Sequence, residues 1–586
     1  VTSMALGGIT AESLEDALSD FNCEFGGDED FVEKMNTLSY QFHLNAEDLI
    51  DEVITHANNV KKSMLDVTFL DHFEQQYNKK KVAPPASATK KRTVLADLKT
   101  TATPCSPRAA PMEIDDEMSS QILLPKIECR DVPNYLSDFT VQPSAQGPGW
   151  FHNRADSGKI VAKHGSGNVK IVGQKTPVNI IVMQGKSATD KRSYADDKAA
   201  NVLEGLDGRL RAYAQDVRTT HADMMGDAPF ASLNTASDSA IFIVGFVMEF
   251  DARCHDISTI VLMADEEDGA ATVTVDVTAL EERCFFPGEM VVLRGVNKSG
   301  RLFDASERLA APALPARVVK RHEGDATIWI ASGPFTPQTT VTYEPLAEVI
   351  QMCKLEAPNV LVLVGPLVDR KSEFMIKRDC PLTDTELTMR LLKQIQIKMK
   401  GSSTRIFFVP SSSRDSAVIP VFPRATFLDD DIKSNEVVDI VSDPFVFTIG
   451  GAEIAVTASE VLSHISRAEC HYSANKENVD RLKRVAGHLI EQRSLYPLDP
   501  AGISVSREGI INQCTLTTTQ PHIIVAPTIM APFVKSTLGC MVANPGTMCR
   551  SLSAGTVLKM RLALSEIPDN GTSDMSNYTH INIARI

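Results

Sequence analysis

Hydrophobic positions change their spacing three times along this chain. From residue 9 to about 75 they recur at helical intervals: Leu14, Leu18 and Phe21 share one face, and Phe31, Met35, Leu38 and Phe42 form a second stripe. Asn45 ahead of Glu47 and Asp48 reads as a helix N-cap with an acidic first turn, after which Leu49 and Val53 open another helix. The pattern predicts a small helical domain over residues 1–77 with no chemistry of its own.

The apolar rhythm then stops. "NKKKVAPPASATKKRTVLADLKTTATPCSPRAAP" carries eight basic residues against one acid between Lys79 and Arg108. Such a segment buries too little apolar surface to offset its ordering entropy, so residues 78–120 read as a disordered tether. Thr103 and Ser106 each precede a proline and are candidate phosphorylation sites. The clusters Lys79–Lys81 and Lys90–Arg92 read as a nuclear-import signal or as a solvated linker.

Alternation and short β-branched runs take over in residues 121–322. "AIFIVGFVMEF", "STIVLMAD" and "ATVTVDVTAL" are strand-like, and "FFPGEMVVLRGVNKSGR" is a Pro-Gly turn, a buried strand and a second Gly turn. Closely spaced strands in this order predict an OB-fold barrel. A preceding helix with Val202, Leu206, Leu210 and Tyr213 on one face is expected to pack on it, loosened by Gly205 and Gly208.

Residues 323–586 return to longer units. Apolar strands "TIWIAS", "VLVLVG", "RIFFVP", "FVFTI", "AEIAVTA" and "HIIVAP" alternate with helical stretches such as Thr383 to Met399 and Asp480 to Arg493, the latter with Leu482, Val485 and Leu489 on one face. That is a layered α/β domain whose loops leave the carboxyl ends of strands. The whole chain is therefore expected to be a multidomain α+β protein.

Bulk composition excludes several functions. The 586 residues are 43% hydrophobic with a net charge of −16, which argues against a wholesale nucleic-acid-binding surface. No apolar run approaches the ~20 residues of a membrane span, and no signal-peptide pattern is present. The chain begins with Val rather than Met, so a few leading residues are expected to precede it. Its eleven cysteines show no CxxC pair or ordered His/Cys cluster, which fits reduced thiols in a cytosolic or nuclear protein.

The stretch "NVLVLVGPLVDRKSEF" carries the sharpest chemical question. A buried strand hands over to a loop ending in Asp-Arg, as in calcineurin-like phosphoesterases, where the loop reads G-D-x-x-D-R and its first Asp bridges two metal ions. Here that position is Pro366, while Asp369 keeps the second acidic position. The resemblance places the D-x-H loop at "SGPFT", where Gly333 and Phe335 stand for the ligands. The G-N-H-D/E loop falls at "VPSSSRD", with Ser412 in its core and Asp415 retained. The lone His falls at Thr457, and the G-H-x-H loop at "APTIMA", with Thr528 and Met530 in ligand positions. Pro, Phe and Met do not ligate a hard divalent cation, so no metal, cofactor or catalytic residue is expected. His464 and His488, on apparent helices, read as packing or surface residues.

A barrel followed by an inactivated phosphoesterase-like domain resembles the B subunits of eukaryotic replicative DNA polymerases. "FFPGEMVVLRGVNKSGR", "VLVLVGPLVDRKSE", "FFVPSSSRDS", "EQRSLYPLDP" and "VKSTLGCMVANPGT" are most similar to the polymerase α branch. The resemblance implies a nuclear, non-catalytic scaffold. Its barrel and phosphoesterase-like domain grip the C-terminal domain of the catalytic polymerase subunit, within a complex that includes primase. Its tethered N-terminal domain docks other replication factors, and DNA contact is indirect or weak. Two alternatives stand beside it: a single-strand nucleic-acid-binding barrel, and the accessory chain of another replicative polymerase.

Overall fold

The computed structural model describes residues 24–82 in part and residues 151–586 apart from short loops. It divides into two compact units, Val1–Glu128 and Cys129–Ile586. In the first, the helices Glu29–Phe42 and Val67–Val82 bury Phe31, Met35, Leu38, Phe69, Leu70 and Phe73, with Leu49 and Val53 also inside. The short strands Glu24–Phe25 and Met64–Leu65 pair in parallel. The second helix runs five residues beyond the expected domain end at residue 77, because Tyr77 to Val82 contain neither Gly nor Pro to stop it. Leu14, Leu18, Phe21, Asn45, Thr103 and Ser106 lie outside the described residues.

In the second unit, five strands close a barrel: Ser237–Phe250, Thr259–Met263, Thr272–Asp276, Met290–Asn297 and Leu302–Leu309. The third and fifth of these run parallel and every other pair is antiparallel, so closure is by a Greek key rather than a simple meander. The helix Ala199–Thr220 lies against the barrel, with Leu210, Tyr213 and Val217 on Phe242, Phe246, Met290 and Val292. Its Gly205 is a contact and not a weak point. A Cβ there would stand 2.6 Å from Ile511, so glycine lets the helix Arg507–Cys514 approach closely.

The C-terminal domain is a four-layer sandwich. One sheet has seven strands, in the order Val438–Ile440, Arg405–Val409, Val360–Val364, Ala326–Ser332, Thr556–Leu562, Thr579–Arg585 and Ile160–His164. The other has six, with Ala452–Val456, Ile523–Val525 and Cys540–Asn544 parallel at its centre. Val360–Val364 is parallel to both its neighbours and buried throughout, as its unbroken apolar run predicts. Its residues alternate between two cores. Val360, Val362 and Val364 meet Phe445, Phe447 and Ile454 of the facing sheet, while Leu361 and Leu363 meet Leu346, Leu391 and Ile395 of the covering helices. One of those helices, Asp384–Met399, starts with a capping box between Thr383 and Glu386.

One expectation needs correction. The segment 121–322 is not a barrel domain alone, because Ile160–His164 joins the seven-stranded sheet beside Thr579–Arg585, and Ile180–Gln184 joins the six-stranded sheet beside Phe445–Ile449. Phe151 sits in the core between the larger sheet and its helices, and Arg154 Nε donates to the Ile586 carbonyl at 2.6 Å. Both sheets had open edges at those positions, and an edge strand is recruited by backbone hydrogen bonds that periodicity does not reveal.

Candidate functional site

The five predicted loop positions gather at the carboxyl ends of the two sheets. Gly333 N donates to the Val364 carbonyl and Gly365 N to the Val409 carbonyl, both at 2.8 Å, so the first three loops continue the strand ladder. Their contact is close. A Cβ on Gly333 would lie 2.0 Å from the Pro366 carbonyl oxygen, and one on Gly365 would lie 2.2 Å from Asp415 Oδ2 and 2.5 Å from Ser411 N. Tyr343, buried behind them, donates to the Leu367 carbonyl at 3.0 Å.

Both carboxylate oxygens of Asp415 are turned onto backbone. Oδ1 accepts from Leu367 N at 2.5 Å and Val368 N at 3.3 Å, and Oδ2 accepts from Ser411 N at 2.6 Å. Burial pushes Asp415 up to about 7, against those three donors. Asp369, also buried, forms an ion pair with Arg414 and accepts from Lys371 N at 3.0 Å. Arg370 Nη2 donates to the carbonyls of Asp415 and Val418 at 2.6 and 3.2 Å. The retained acids therefore tie loop to loop.

The remaining positions are occupied in the same manner. Phe335 is wholly buried among the helices' apolar side chains, and Ser412 is buried beside Ser411. Ser411 Oγ reaches the Ala458 carbonyl at 3.5 Å, joining the third loop to the fourth. There Thr457 Oγ1 donates to Asp443 Oδ1 at 2.8 Å, and Ala458 N donates to the same oxygen at 3.0 Å. Asp443 is fully buried, its Oδ2 has no hydrogen-bond partner, and burial pushes its carboxyl up to about 7. Thr528 N donates to Asn544 Oδ1 at 3.0 Å, and Asn544 Nδ2 donates to the carbonyls of Met530 and Ala531, both at 3.1 Å. Asp443 and Asn544 carry no signal in the sequence, since each comes from a strand end of the second sheet, far from the loop it holds.

A cavity of about 10 Å³ lies against the first two loops, lined by Pro334, Thr336, Gln338, Leu367, Asp369 and Ser372. That is room for about one water molecule, against roughly 300 Å³ or more for an ordinary ligand pocket. A larger cleft of about 320 Å³ lies between Ala199–Thr220 and the barrel. Its cations are already engaged: Arg211 faces Asp265 at 3.6 Å, and Arg218 lies over the Phe230 ring at 4.9 Å. It does not offer the bare basic groove and free aromatic faces that single-strand binding uses.

The second chemical feature of this unit is the joint between barrel and sandwich. Met290 exchanges two hydrogen bonds with the Gln492 side chain, at 2.7 and 3.1 Å. Asp499 N donates to the Pro287 carbonyl at 3.1 Å, and a Cβ on Gly288 would lie 2.5 Å from that same nitrogen. Arg493 pairs with Asp216 of the helix on the barrel and donates to the Pro312 carbonyl at 3.0 Å. The motifs "FFPGEM" and "EQRSLYPLDP" are thus the two sides of one contact.

Comparison with known proteins follows the same division. A family model for the N-terminal region of the DNA polymerase alpha B subunit matches residues 12–80, and one for the OB domain of that B subunit matches 203–311. A third, for the B subunits of DNA polymerases alpha and epsilon, matches 328–535. The DNA polymerase alpha B subunit of Caenorhabditis elegans is 28% identical, with 98% of this chain and 99% of that one covered. The Mus musculus protein of the same name is 23% identical over 94% of this chain and 96% of its own, and the Schizosaccharomyces pombe protein 24% over 73% and 78%.

Proposed function

We propose that this chain, which resembles the DNA polymerase alpha B subunit over nearly its whole length, is the non-catalytic accessory subunit of a polymerase α–primase complex. In this reading it works in the nucleus as a scaffold. The barrel and sandwich hold the C-terminal domain of the catalytic subunit, and the N-terminal helical domain engages other replication factors during primer synthesis.

The observation that carries the non-catalytic part is Asp415. Among the positions where a phosphoesterase would hold metal ions, it keeps a carboxylate in the sheet-end cluster, and both its oxygens are taken up by backbone N–H groups of neighbouring loops. Three backbone N–H bonds take up three of the roughly four lone-pair sites of such a carboxylate, leaving at most one for an ion, and Pro366 beside it contributes no side-chain donor atom. The loops that once served hydrolysis then serve rigidity.

Support for the scaffold part comes from the joint. Barrel and sandwich are linked by a buried side-chain-to-backbone pair, a two-stranded sheet between Glu282–Phe285 and Cys470–Ser473, and the helix Ala199–Thr220 that touches both. A partner surface spanning such a joint stays preorganised, which lowers the cost of binding. The test is co-expression with the C-terminal domain of the catalytic subunit. Residues 129–586 are expected to co-purify with it, and residues 1–128 are not. The reverse result overturns the assignment.

A further inference from the structure

We propose that Cys284, Glu469 and His488 form a structural zinc site that fastens the barrel to the sandwich. Cys284 belongs to the strand Glu282–Phe285, which leads out of the barrel and pairs with Cys470–Ser473. Glu469 caps the C-terminus of the helix Val461–Ala468, and His488 lies in the last turn of Arg481–Glu491. Three separate elements from both domains therefore converge on one point, and the donor atoms all lie within 4.8 Å of one another.

Two of the three donor distances match the ion. His488 Nε2 is 3.5 Å from Cys284 Sγ and 3.5 Å from Glu469 Oε2. Tetrahedral zinc, with bonds of about 2.3 Å to sulfur and about 2.0–2.2 Å to nitrogen and oxygen, separates such donors by roughly 3.3–3.6 Å. Cys and His beside a single carboxylate select zinc over magnesium or calcium, which take oxygen ligands.

The surrounding groups are those a metal site uses to orient its ligands. His488 Nδ1, on the far side of the ring, lies 3.7 Å from Glu491 Oε2, beyond hydrogen-bond distance, and a small approach of that carboxylate would let it orient a metal-bound imidazole. Glu469 gives Oε1 to Arg484, while its Oε2 is buried without a hydrogen-bond partner. His471 stands directly across the strand pair from Cys284, so both side chains leave the same face. Its Nε2 is buried, 3.6 Å from Glu282 Oε1 and without a hydrogen bond among the described residues. Water fills the fourth coordination position, with His471 the neighbouring imidazole on the same face of the strand pair.

The charges balance. Zinc and Arg484 offset the Cys284 thiolate, Glu469 and Glu491. Binding releases the thiol proton and any proton on His488 Nε2 to solvent. The competing arrangement has no ion, a neutral thiol and a His488 imidazolium held between Glu469 and Glu491.

The experiment uses the full chain, purified without a polyhistidine tag or chelator, loaded with zinc and dialysed. Atomic emission is expected to find about one zinc per chain, held by three protein ligands and a water. Cobalt in its place is expected to give the near-ultraviolet thiolate-to-metal band. Cys284→Ser should abolish that band and His488→Gln should weaken zinc binding at least roughly tenfold. Cys540→Ser, on a strand of the smaller sheet, should change neither. If Cys284→Ser does not fold, the wild-type chain still decides, since a zinc chelator should lower its unfolding temperature and added zinc restore it. Absence of zinc after loading, no chelator effect, or a band that survives Cys284→Ser would each overturn the proposal and leave the imidazolium network.

Discussion

The side-chain amide of Gln492 hydrogen-bonds both peptide groups of Met290, accepting from its N–H at 2.7 Å and donating to its carbonyl at 3.1 Å. The last backbone pair between Met290–Asn297 and Leu302–Leu309 joins Val292 to Leu309, so beyond it Gln492 takes the place of the missing strand. Both residues are buried. Gln492→Ala leaves a donor and an acceptor unpaired and is expected to cost about 2–4 kcal/mol. Urea unfolding of the full chain measures it. Gln492→Glu should be no rescue, because its carboxylate faces the Met290 carbonyl; wild-type stability in either variant would show that water replaces the amide.

Gly365 and Gly208 should respond in opposite ways to alanine. At Gly365 the new methyl would overlap Asp415 Oδ2 and Ser411 N, both fixed by the loop network, and a loss of about 3 kcal/mol is expected. At Gly208, exposed within the helix Ala199–Thr220, nothing stands within 4 Å. Alanine there should add up to about 1 kcal/mol through helix propensity. Parallel thermal melts give the sign of each.

Asp443 should make stability fall as pH rises. Its folded pKa, raised by burial to about 7, exceeds the ordinary carboxyl value near 4, so the folded state binds an extra proton between those limits. Unfolding then releases that proton, and the stabilisation is complete below about pH 4 and lost by about pH 7. Asp443→Asn keeps an oxygen for Thr457 and Ala458 and removes the titration. Denaturation at pH 5 and pH 8 should show the variant gaining on the wild type at the higher pH. A constant difference between the two proteins would count against a titrating Asp443.

On the proposed reading, phosphodiester hydrolysis should be absent, and Pro366→Asp alone should not create it, because Phe335, Thr457, Thr528 and Met530 are proposed to fill the other ligand positions. A chromogenic phosphodiester assayed with manganese checks this. Turnover that a chelator abolishes and Pro366→Asp increases would restore the enzymatic reading.

Val362→Asp should abolish co-purification with the catalytic subunit's C-terminal domain. Val362 is fully buried between the two sheets, among Phe445, Phe447 and Ile454, where a carboxylate finds no partner. Soluble, bound protein carrying this change would mean that the sandwich core is not needed for the contact.

Much of this architecture was readable from local pattern. The short, Val-rich run Val360 to Val364, closed by Gly365 and Pro366, fits a strand covered on both faces, and the spacing of Phe31, Met35 and Leu38 fits a helix buried on one side. That Gly333, Phe335 and Pro366 carry no side-chain donor atom is equally plain, because that holds in any fold. What tertiary structure decided were relationships between distant residues. Ile160–His164 and Ile180–Gln184 take up open sheet edges through backbone hydrogen bonds, which no side-chain rhythm encodes. Gln492 reads as an ordinary polar residue after a helix until Met290 is beside it. Cys284, Glu469 and His488 have no motif spacing, since chain separation says nothing about distance once three elements pack at one joint. Periodicity reports which face of an element is buried; which groups meet across that face is settled only when the faces are packed.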